Sequence, residues 1–296
     1  MTRNLFTLKT RVVPSACAAL LLFNSSLSSH AQVTATPNGI ADNRAGAYAF
    51  TNAMLYRSDG SYVNGSLLIR DGQIVSVQGN NQVPSGFFEI DLAGRYIYPG
   101  LIDIYTDLGL PELESVDDNG EAENLFPSNQ ALNANDAIRS NFRASTAYVT
   151  DEEAVKKFRE MGFSTVLAHR ADGIARGTSA LITLGDQNAN EAIVVPDVAA
   201  HYSLDKGSST QSMPGSLMGS FALIRQTFLD ADWFTSQQPR PFTDATLDAW
   251  QANQSLPQIM EVDNWQQALT ADKVGDEFET QYILKMAGDS YKRADL

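Results

Sequence analysis

The sequence predicts an α/β protein in which a small all-β domain precedes a region of alternating helices and strands. Closely spaced strand and turn patterns fill residues 48–95, and helical and strand patterns alternate from residue 151 onward. This alternation favours βα units around a parallel sheet, either open or closed into a barrel. With 43% hydrophobic residues and 14 Phe among 296 residues, the chain can bury a sizeable core, which excludes disorder over its whole length.

The first residues are typical of a secretory signal peptide. Arg3, Lys9 and Arg11, with no acidic residue nearby, precede an apolar run at 12–23. This run is shorter than the roughly 20 residues of a membrane span. Ser29 and Ala31 supply the small residues of a cleavage site. We therefore predict a signal peptide over 1–31, cleavage after Ala31, a flexible leader over 32–47, and a secreted, periplasmic protein.

Net charge, segment hydrophobicity and cysteine content argue against nucleic-acid binding, a membrane span and disulfide bonds. The formal net charge is −14, which disfavours nucleic acid because phosphate binding needs a positive surface. No later segment has the length of a membrane span. The one cysteine, Cys17, falls inside the predicted signal peptide, so we expect no disulfide in the mature chain.

Short strand patterns separated by turn residues define the predicted β-domain at 48–95. Runs at 48–56, 66–70 and 73–77 are rich in β-forming residues, and Asp71-Gly72 between the last two is a strong hairpin signal. A further strand is predicted at 87–92. The run 96–104 is then predicted as one buried strand that contains a Pro-Gly turn, followed by a long polar loop at 111–135.

Helices and strands alternate in the second region. A helix at 151–161, acidic first and basic later, ends at Gly162 and leads into a strand at 163–168. Later elements are predicted as helices at 216–233, 242–255 and 264–278 and as strands at 257–262 and 281–285. The glycine-bearing segment 173–180 is predicted as a loop before a strand at 181–184, because it lacks the strand and helix that frame a dinucleotide site.

Two stretches resemble the amidohydrolase superfamily, in particular its imidazolonepropionase-like metal-dependent hydrolases. One is Leu-Leu-Ile-Arg-Asp-Gly-Gln-Ile-Val-Ser-Val at 67–77, and the other is Ile-Asp-Leu-Ala-Gly-Arg-Tyr-Ile-Tyr-Pro-Gly-Leu-Ile-Asp at 90–103. The resemblance implies a β-sandwich part at 48–95 and an incomplete TIM-like (β/α) barrel at 96–296. It also implies a hydrolase of non-peptide carbon–nitrogen bonds, with divalent zinc in the active members.

The resemblance also implies that the metal ligands have been replaced. Active members carry a His-x-His pair after the Pro-Gly-Leu-Ile-Asp motif, where this chain has Tyr105 and Asp107. Positions that resemble later metal histidines hold Glu261, Asp263 and Met286. A phenol with a pKa near ~10 is a poor ligand for a hydrolytic metal. We therefore predict no catalytic residue and no bound cofactor, with Asp107 and Glu261 as weak metal candidates.

Two alternatives stay open at these positions. Asp103, Asp107, Glu261 and Asp263 could form a carboxylate site suited to Mg or Ca, or they could be solvent-facing acids at strand ends. His169 follows the strand at 163–168, where it is either a residue of the barrel rim or a hydrogen-bonded structural histidine.

The sequence therefore predicts a non-catalytic amidohydrolase-family protein, a pseudoenzyme. The alternative is a fragment, or a binding or partner module, of a longer tandem amidohydrolase. An incomplete barrel leaves strand edges unpaired, so we expect marginal stability or association, either as a homo-oligomer or with a paired amidohydrolase.

Overall fold

The computed structural model describes residues 46–111, 133–186 and 188–293. The predicted signal peptide, its cleavage site, nearly all of the predicted leader and most of the predicted loop at 111–135 lie outside these ranges. The chain divides into two compact units, Met1–Tyr98 and Pro99–Leu296, and each is described by itself.

The described residues of the first unit form a five-stranded sheet. Its strands are β1 (Ala47–Tyr56), β2 (Tyr62–Arg70), β3 (Gln73–Gln78), β4 (Phe88–Asp91) and β5 (Tyr96–Ile97). β3, β2, β1 and β4 lie side by side in that order, and β5 also pairs with β1. β2 and β3 form the predicted hairpin, in which both Asp71 and Gly72 have positive φ, at 51° and 77°. Two consecutive positive φ angles match the twist of the flanking strands.

The two faces of this sheet differ in side-chain character. Ala53, Leu55 and Leu67 are buried on one face, with further apolar residues packed against them. The other face carries four tyrosines in mutual ring contact, whose exposed fractions lie between 38% and 57%: Tyr56, Tyr62, Tyr96 and Tyr98. Period-two alternation along each strand produces this separation.

The second unit contains eight strands and six helices within the described residues. The strands are β6 (Leu101–Thr106), β7 (Phe163–Ala168), β8 (Ala175–Thr178), β9 (Ala180–Thr183), β10 (Ile193–Val195), β11 (Ala200–Tyr202), β12 (Gln258–Val262) and β13 (Tyr282–Met286). The helices are α1 (Ala144–Ala147), α2 (Glu152–Glu160), α3 (Ala189–Ala192), α4 (Leu217–Ser236), α5 (Ala245–Asn253) and α6 (Trp265–Glu277). A 3-10 turn follows at Ser290–Arg293.

These strands form two four-stranded sheets, ordered β10-β9-β7-β6 and β13-β12-β11-β8. β6 pairs in parallel with β7, and β11, β12 and β13 are likewise parallel. β9 is antiparallel to β7 and β8 is antiparallel to β11. Only Ser179 separates β8 from β9, so one antiparallel stretch of chain passes from one sheet to the other. Both sheets thus contain parallel and antiparallel pairs, whereas the sequence pattern favoured a parallel sheet.

Two sequence-based predictions are corrected by these strands. Segment 173–180 is not a loop, because Ala175–Thr178 forms β8. Gly177 has φ of +78°, and an added Cβ would overlap the carbonyl oxygen of Phe142. This glycine therefore allows the backbone at Phe142 to approach β8 closely. Run 96–104 is not one buried strand, since β5 and β6 are separate and β6 is an edge strand. Leu101, Ile102 and Ile104 are more than half exposed.

Helices α4, α5 and α6 cover one face of the β13-β12-β11-β8 sheet. Phe221, Phe228 and Trp250 from the helices pack with Met260 and Val262 of β12. Side-chain caps begin the three helices at Ser216, Asp244 and Asn264, each of which accepts backbone N–H groups of the first turn. Within the described residues, no helix has the length and apolar character needed to cross a membrane.

Candidate functional site

The opposite face of this sheet carries polar side chains. In β12, Met260 and Val262 point toward the helices, so the alternate residue Glu261 points to the other face. Glu261 is in register with Lys285 of β13, and the two side chains bond to each other. The side chains gathered here, called the inner cluster below, are Tyr105, His169, Arg176, His201, Glu261 and Lys285.

Glu261 is bound by two cations of the inner cluster. Arg176 Nη1 donates to Glu261 Oε2 at 2.6 Å, and Lys285 Nζ donates to Glu261 Oε1 at 2.5 Å. Arg176 Nη1 also donates to the Tyr105 hydroxyl at 2.9 Å, and Lys285 Nζ lies 4.7 Å from the centre of the Tyr105 ring. Both oxygens of the Glu261 carboxylate are therefore engaged by fixed positive charges.

These contacts determine the protonation states of Glu261 and Tyr105. Burial acts to raise the pKa of Glu261, but the hydrogen bonds and charges of Lys285 and Arg176 outweigh it and lower that pKa to about 2. Burial, with a contribution from the nearby Glu261 carboxylate, raises the pKa of Tyr105 far above its usual range. Glu261 is thus ionised and Tyr105 is neutral at physiological pH.

His169 and His201 form a buried, stacked pair beside Tyr105. Their ring centres are 4.1 Å apart with an interplanar angle of 14°, and the Tyr105 ring centre is also 4.1 Å from that of His169. The two histidines are 2% and 1% exposed, and none of their four ring nitrogens has a hydrogen-bond partner among the described residues. Burial and neighbouring charges, including Arg176, lower the pKa of His169 to about 4 and that of His201 well below its usual value. Both rings are neutral near pH 7.

The inner cluster does not fit the divalent metal that the family resemblance implies. Imidazole lone pairs lie in the ring plane, so two nearly parallel stacked rings cannot both direct a nitrogen at one ion. The Glu261 oxygens already bind Arg176 and Lys285, whose charges would repel a dication. In the part of the chain that the structure describes, no group of three or more His, Cys, Asp or Glu side chains is arranged to hold a metal.

The structure brings together some of the residues singled out from the sequence and separates others. Tyr105, His169 and Glu261 meet in the inner cluster. Asp107 is exposed in the turn after β6, and Asp263 is exposed while its carboxylate accepts from the side-chain amide of the following helix. Met286 lies on the helix-facing side of the sheet, beside the main core.

Three members of the inner cluster were not identified from the sequence as site residues. Arg176 lies in the segment predicted as a loop, and His201 stands between Ala200 and Tyr202 in β11, a strand that was not predicted. Lys285 was placed in a strand, but its partner lies 24 residues away in the sequence. The sequence signal that could have found Glu261 and Lys285 is the alternation of side chains along a strand, because each occupies an alternate position in a predicted strand.

An open cavity of about 670 Å³ borders the inner cluster. Arg176 and Glu261 line it, together with 203–206 and the chain at 214–217 where α4 begins. The loop on one side is anchored by buried Asp172, which accepts from the backbone N–H of Ser208 at 2.7 Å and forms ion pairs with Arg139 and Arg170. These bonds hold one wall of the cavity in place.

Comparisons with known proteins show a local sequence match and a fold match. No protein-family model matches the chain. An imidazolonepropionase from Klebsiella pneumoniae is 51% identical over 43 residues, which are 14% of this chain and 10% of that protein. The crystal structure of an amidohydrolase from Thermotoga maritima matches with a TM-score of 0.67 over 83% of this chain and 66% of that chain.

The extent of each match limits what it shows. The chain spans a tenth of the imidazolonepropionase and slightly less than two thirds of the Thermotoga chain. The sequence identity to the Thermotoga protein is 18%, so that likeness concerns the fold. The local sequence match and the fold match both agree with the resemblance of this chain to the amidohydrolase superfamily.

Proposed function

We propose that this chain is an amidohydrolase-family protein that binds a ligand at the inner cluster and does not carry out metal-dependent hydrolysis. The proposal treats the two four-stranded sheets as parts of an incomplete TIM-like barrel, and the five-stranded sheet of the first unit as part of a β-sandwich. The fold match to the Thermotoga protein supports the coarse arrangement. The parallel pairs β6–β7 and β11–β12–β13 are consistent with barrel strands.

The ion pairing of Glu261 is the observation that carries the proposal. Family resemblance identifies Glu261 as a position where active members have a metal histidine. Here two cations bind both carboxylate oxygens, and they supply positive charge where a metal would supply it. Fixed ammonium and guanidinium groups can orient a ligand, but they cannot bind and ionise a water molecule as a metal does.

No side chain of the inner cluster has the properties of a general base near pH 7. A general base works best with a pKa near the operating pH. The pKa of Glu261 is about 2 and that of Tyr105 is raised, so the carboxylate is a weak base and the phenol holds its proton. His169, with a pKa of about 4, is buried without hydrogen-bond partners among the described residues. These protonation states favour ligand binding over catalytic proton transfer.

Elemental mass spectrometry of the purified, folded chain tests the proposal, after incubation with zinc and manganese followed by desalting. We expect less than about one tenth of an equivalent of either metal, because the donor set does not converge on one ion. Near-stoichiometric metal, together with chelator-sensitive hydrolysis of a panel of amides, imides and cyclic ureas, would contradict it. A known zinc enzyme carried through the same steps controls for metal loss during desalting.

A partner module is a second candidate function, and the exposed edge strands favour it. β6 and β13 each lie at the edge of their sheet, and Ile102, Ile104 and Ile283 on these strands are 59%, 64% and 55% exposed. Exposed apolar edge strands are templates for pairing with another chain. We expect concentration-dependent dimers in light scattering, which Ile102→Ser with Ile104→Ser reduces. A monomer at every concentration would argue against this candidate.

A further inference from the structure

We propose that the cavity beside the inner cluster binds a small molecule through a carboxylate or phosphate group, with Arg176 as its principal contact. This inference rests on the proposed binding function and names the chemical class of the ligand. Three features of the cavity support it: an incompletely bonded guanidinium, a second cation beside the start of a long helix, and carboxylates that are either neutralised or exposed.

Arg176 has donors that are free to bind a ligand. Its Nε donates to the carbonyl oxygen of Gly173 at 3.2 Å, and its Nη1 serves Glu261 and Tyr105. Within the described residues, Nη2 has no hydrogen-bond partner, although the side chain is only 6% exposed and lines the cavity. A guanidinium offers five N–H donors in a planar fork that matches the oxygens of a carboxylate or phosphate. The two N–H donors of Nη2 therefore have no partner among the described residues, and the residue that carries them lines the cavity.

Lys206 and the start of α4 add positive potential to the same cavity. Lys206 uses one of its three ammonium protons to bond the carbonyl oxygen of Gln211 at 2.6 Å. Helix α4 is 20 residues long and begins at the cavity with Ser216 as its cap and Leu217 as its first residue. The first backbone N–H groups of a helix carry partial positive charge and favour an anion.

The acidic residues of the cavity do not cancel this positive potential. Glu261 is paired with two cations, so the group formed by Glu261, Arg176 and Lys285 carries one net positive charge. Asp205 and Asp263 also line the cavity, but both are exposed, and solvent screens exposed charges strongly. The cations are the less exposed charges of the cavity, and they dominate the field that a bound group experiences.

Calorimetric titration of the full chain tests this inference with three probes: succinate, inorganic phosphate and the neutral succinamide. We expect succinate, phosphate or both to bind, and succinamide to bind at least about tenfold more weakly because it lacks the charge. Preference for succinate identifies a carboxylate ligand, and preference for phosphate identifies a phosphorylated one. Failure of both oxyanions to bind at about 10 mM, or equal binding of succinamide, would overturn the inference.

Variants locate the binding site. Arg176→Gln should weaken oxyanion binding at least about tenfold, while Arg225→Gln, which removes an exposed arginine of α4 paired with Glu277, should leave it unchanged. Lys206→Met lies outside the ion-paired group and should weaken binding about three- to tenfold. It carries the test if Arg176→Gln does not fold. Binding that neither variant alters would refute the assignment.

The metal measurement separates this inference from the proposed function. A chain that holds a stoichiometric metal and still binds the oxyanion through Arg176 would overturn only the non-hydrolytic proposal. A metal-free chain that binds none of the oxyanions would overturn only the ligand class.

Discussion

Replacing His169 by phenylalanine should make the protein less sensitive to acid. The His169 imidazole is 2% exposed, stacks on His201 and contacts the tilted ring of Tyr105, so its neutral form is strongly favoured in the folded state. A phenylalanine ring retains the stacking surface and cannot be protonated. It also removes two buried nitrogens that have no hydrogen-bond partner among the described residues.

The size of the effect follows from the lowered pKa of His169. Its folded-state pKa is about 4, against 6.5 in the unfolded chain, so the unfolded chain binds more protons between these values. Stability is therefore fully present above pH 6.5 and is lost as the pH falls toward 4. Between pH 7.5 and 4.5, His169 alone should cost about 2.5 kcal/mol of unfolding free energy. His201, whose pKa is also lowered, adds to this loss.

Urea unfolding at pH 7.5, 6.5, 5.5 and 4.5, followed by tryptophan fluorescence, measures this effect. All three tryptophans lie in the second unit, which contains the histidine pair. His169→Phe should remove about half of the loss between pH 6.5 and 4.5, and His169→Phe with His201→Phe nearly all of it. Glu261 interferes little, because its stabilising contribution is present above its unfolded-state pKa of 4.5 and is lost mainly as the pH falls from there toward 2. A wild-type stability that stays constant over this range, or an unchanged slope in the double variant, would refute the reasoning.

Three further predictions concern charge, backbone and processing. Glu261→Gln leaves two cations without their carboxylate and should cost about 3 kcal/mol of unfolding free energy. Glu277→Gln, which breaks an exposed ion pair with Arg225, should cost far less, and urea unfolding compares the two variants. Gly177→Ala should lower the unfolding free energy by about 3 kcal/mol or more, because the added Cβ would overlap a backbone carbonyl oxygen. Gly288→Ala also lies at positive φ, but its Cβ would meet open space, so it should cost about 1 kcal/mol in the same assay. N-terminal sequencing of the exported protein should begin at Gln32, and retention of the first 31 residues would contradict the predicted signal peptide.

Much of the element order could be predicted from local sequence. The strand at 163–168 was predicted with the bounds that the structure shows, and the hairpin turn at Asp71-Gly72 forms where its sequence indicates. Helices α2, α5 and α6 were predicted to within three residues at either end. These elements depend on apolar periodicity, capping residues and turn residues, all of which act over a few neighbouring positions.

The strand predicted at 181–184 corresponds to β9, but β8 just before it could not be predicted in the same way. The glycines at 173 and 177 indicate a loop when only neighbouring residues are considered. This segment becomes a strand because it pairs with β11. Strand pairing over such separations depends on contacts that no local pattern contains.

The sequence by itself determined the resemblance to the amidohydrolase superfamily and the order of most elements, and it predicts that the positions resembling metal ligands hold no histidine. Only the tertiary structure decided what surrounds Glu261 and His169: Arg176 and Lys285 bind Glu261, and His169 stacks on His201. The physical reason is distance along the chain. Arg176 and Glu261 are 85 residues apart and bond only after β8, β11 and β12 have paired, so their ion pair leaves no local pattern in the sequence.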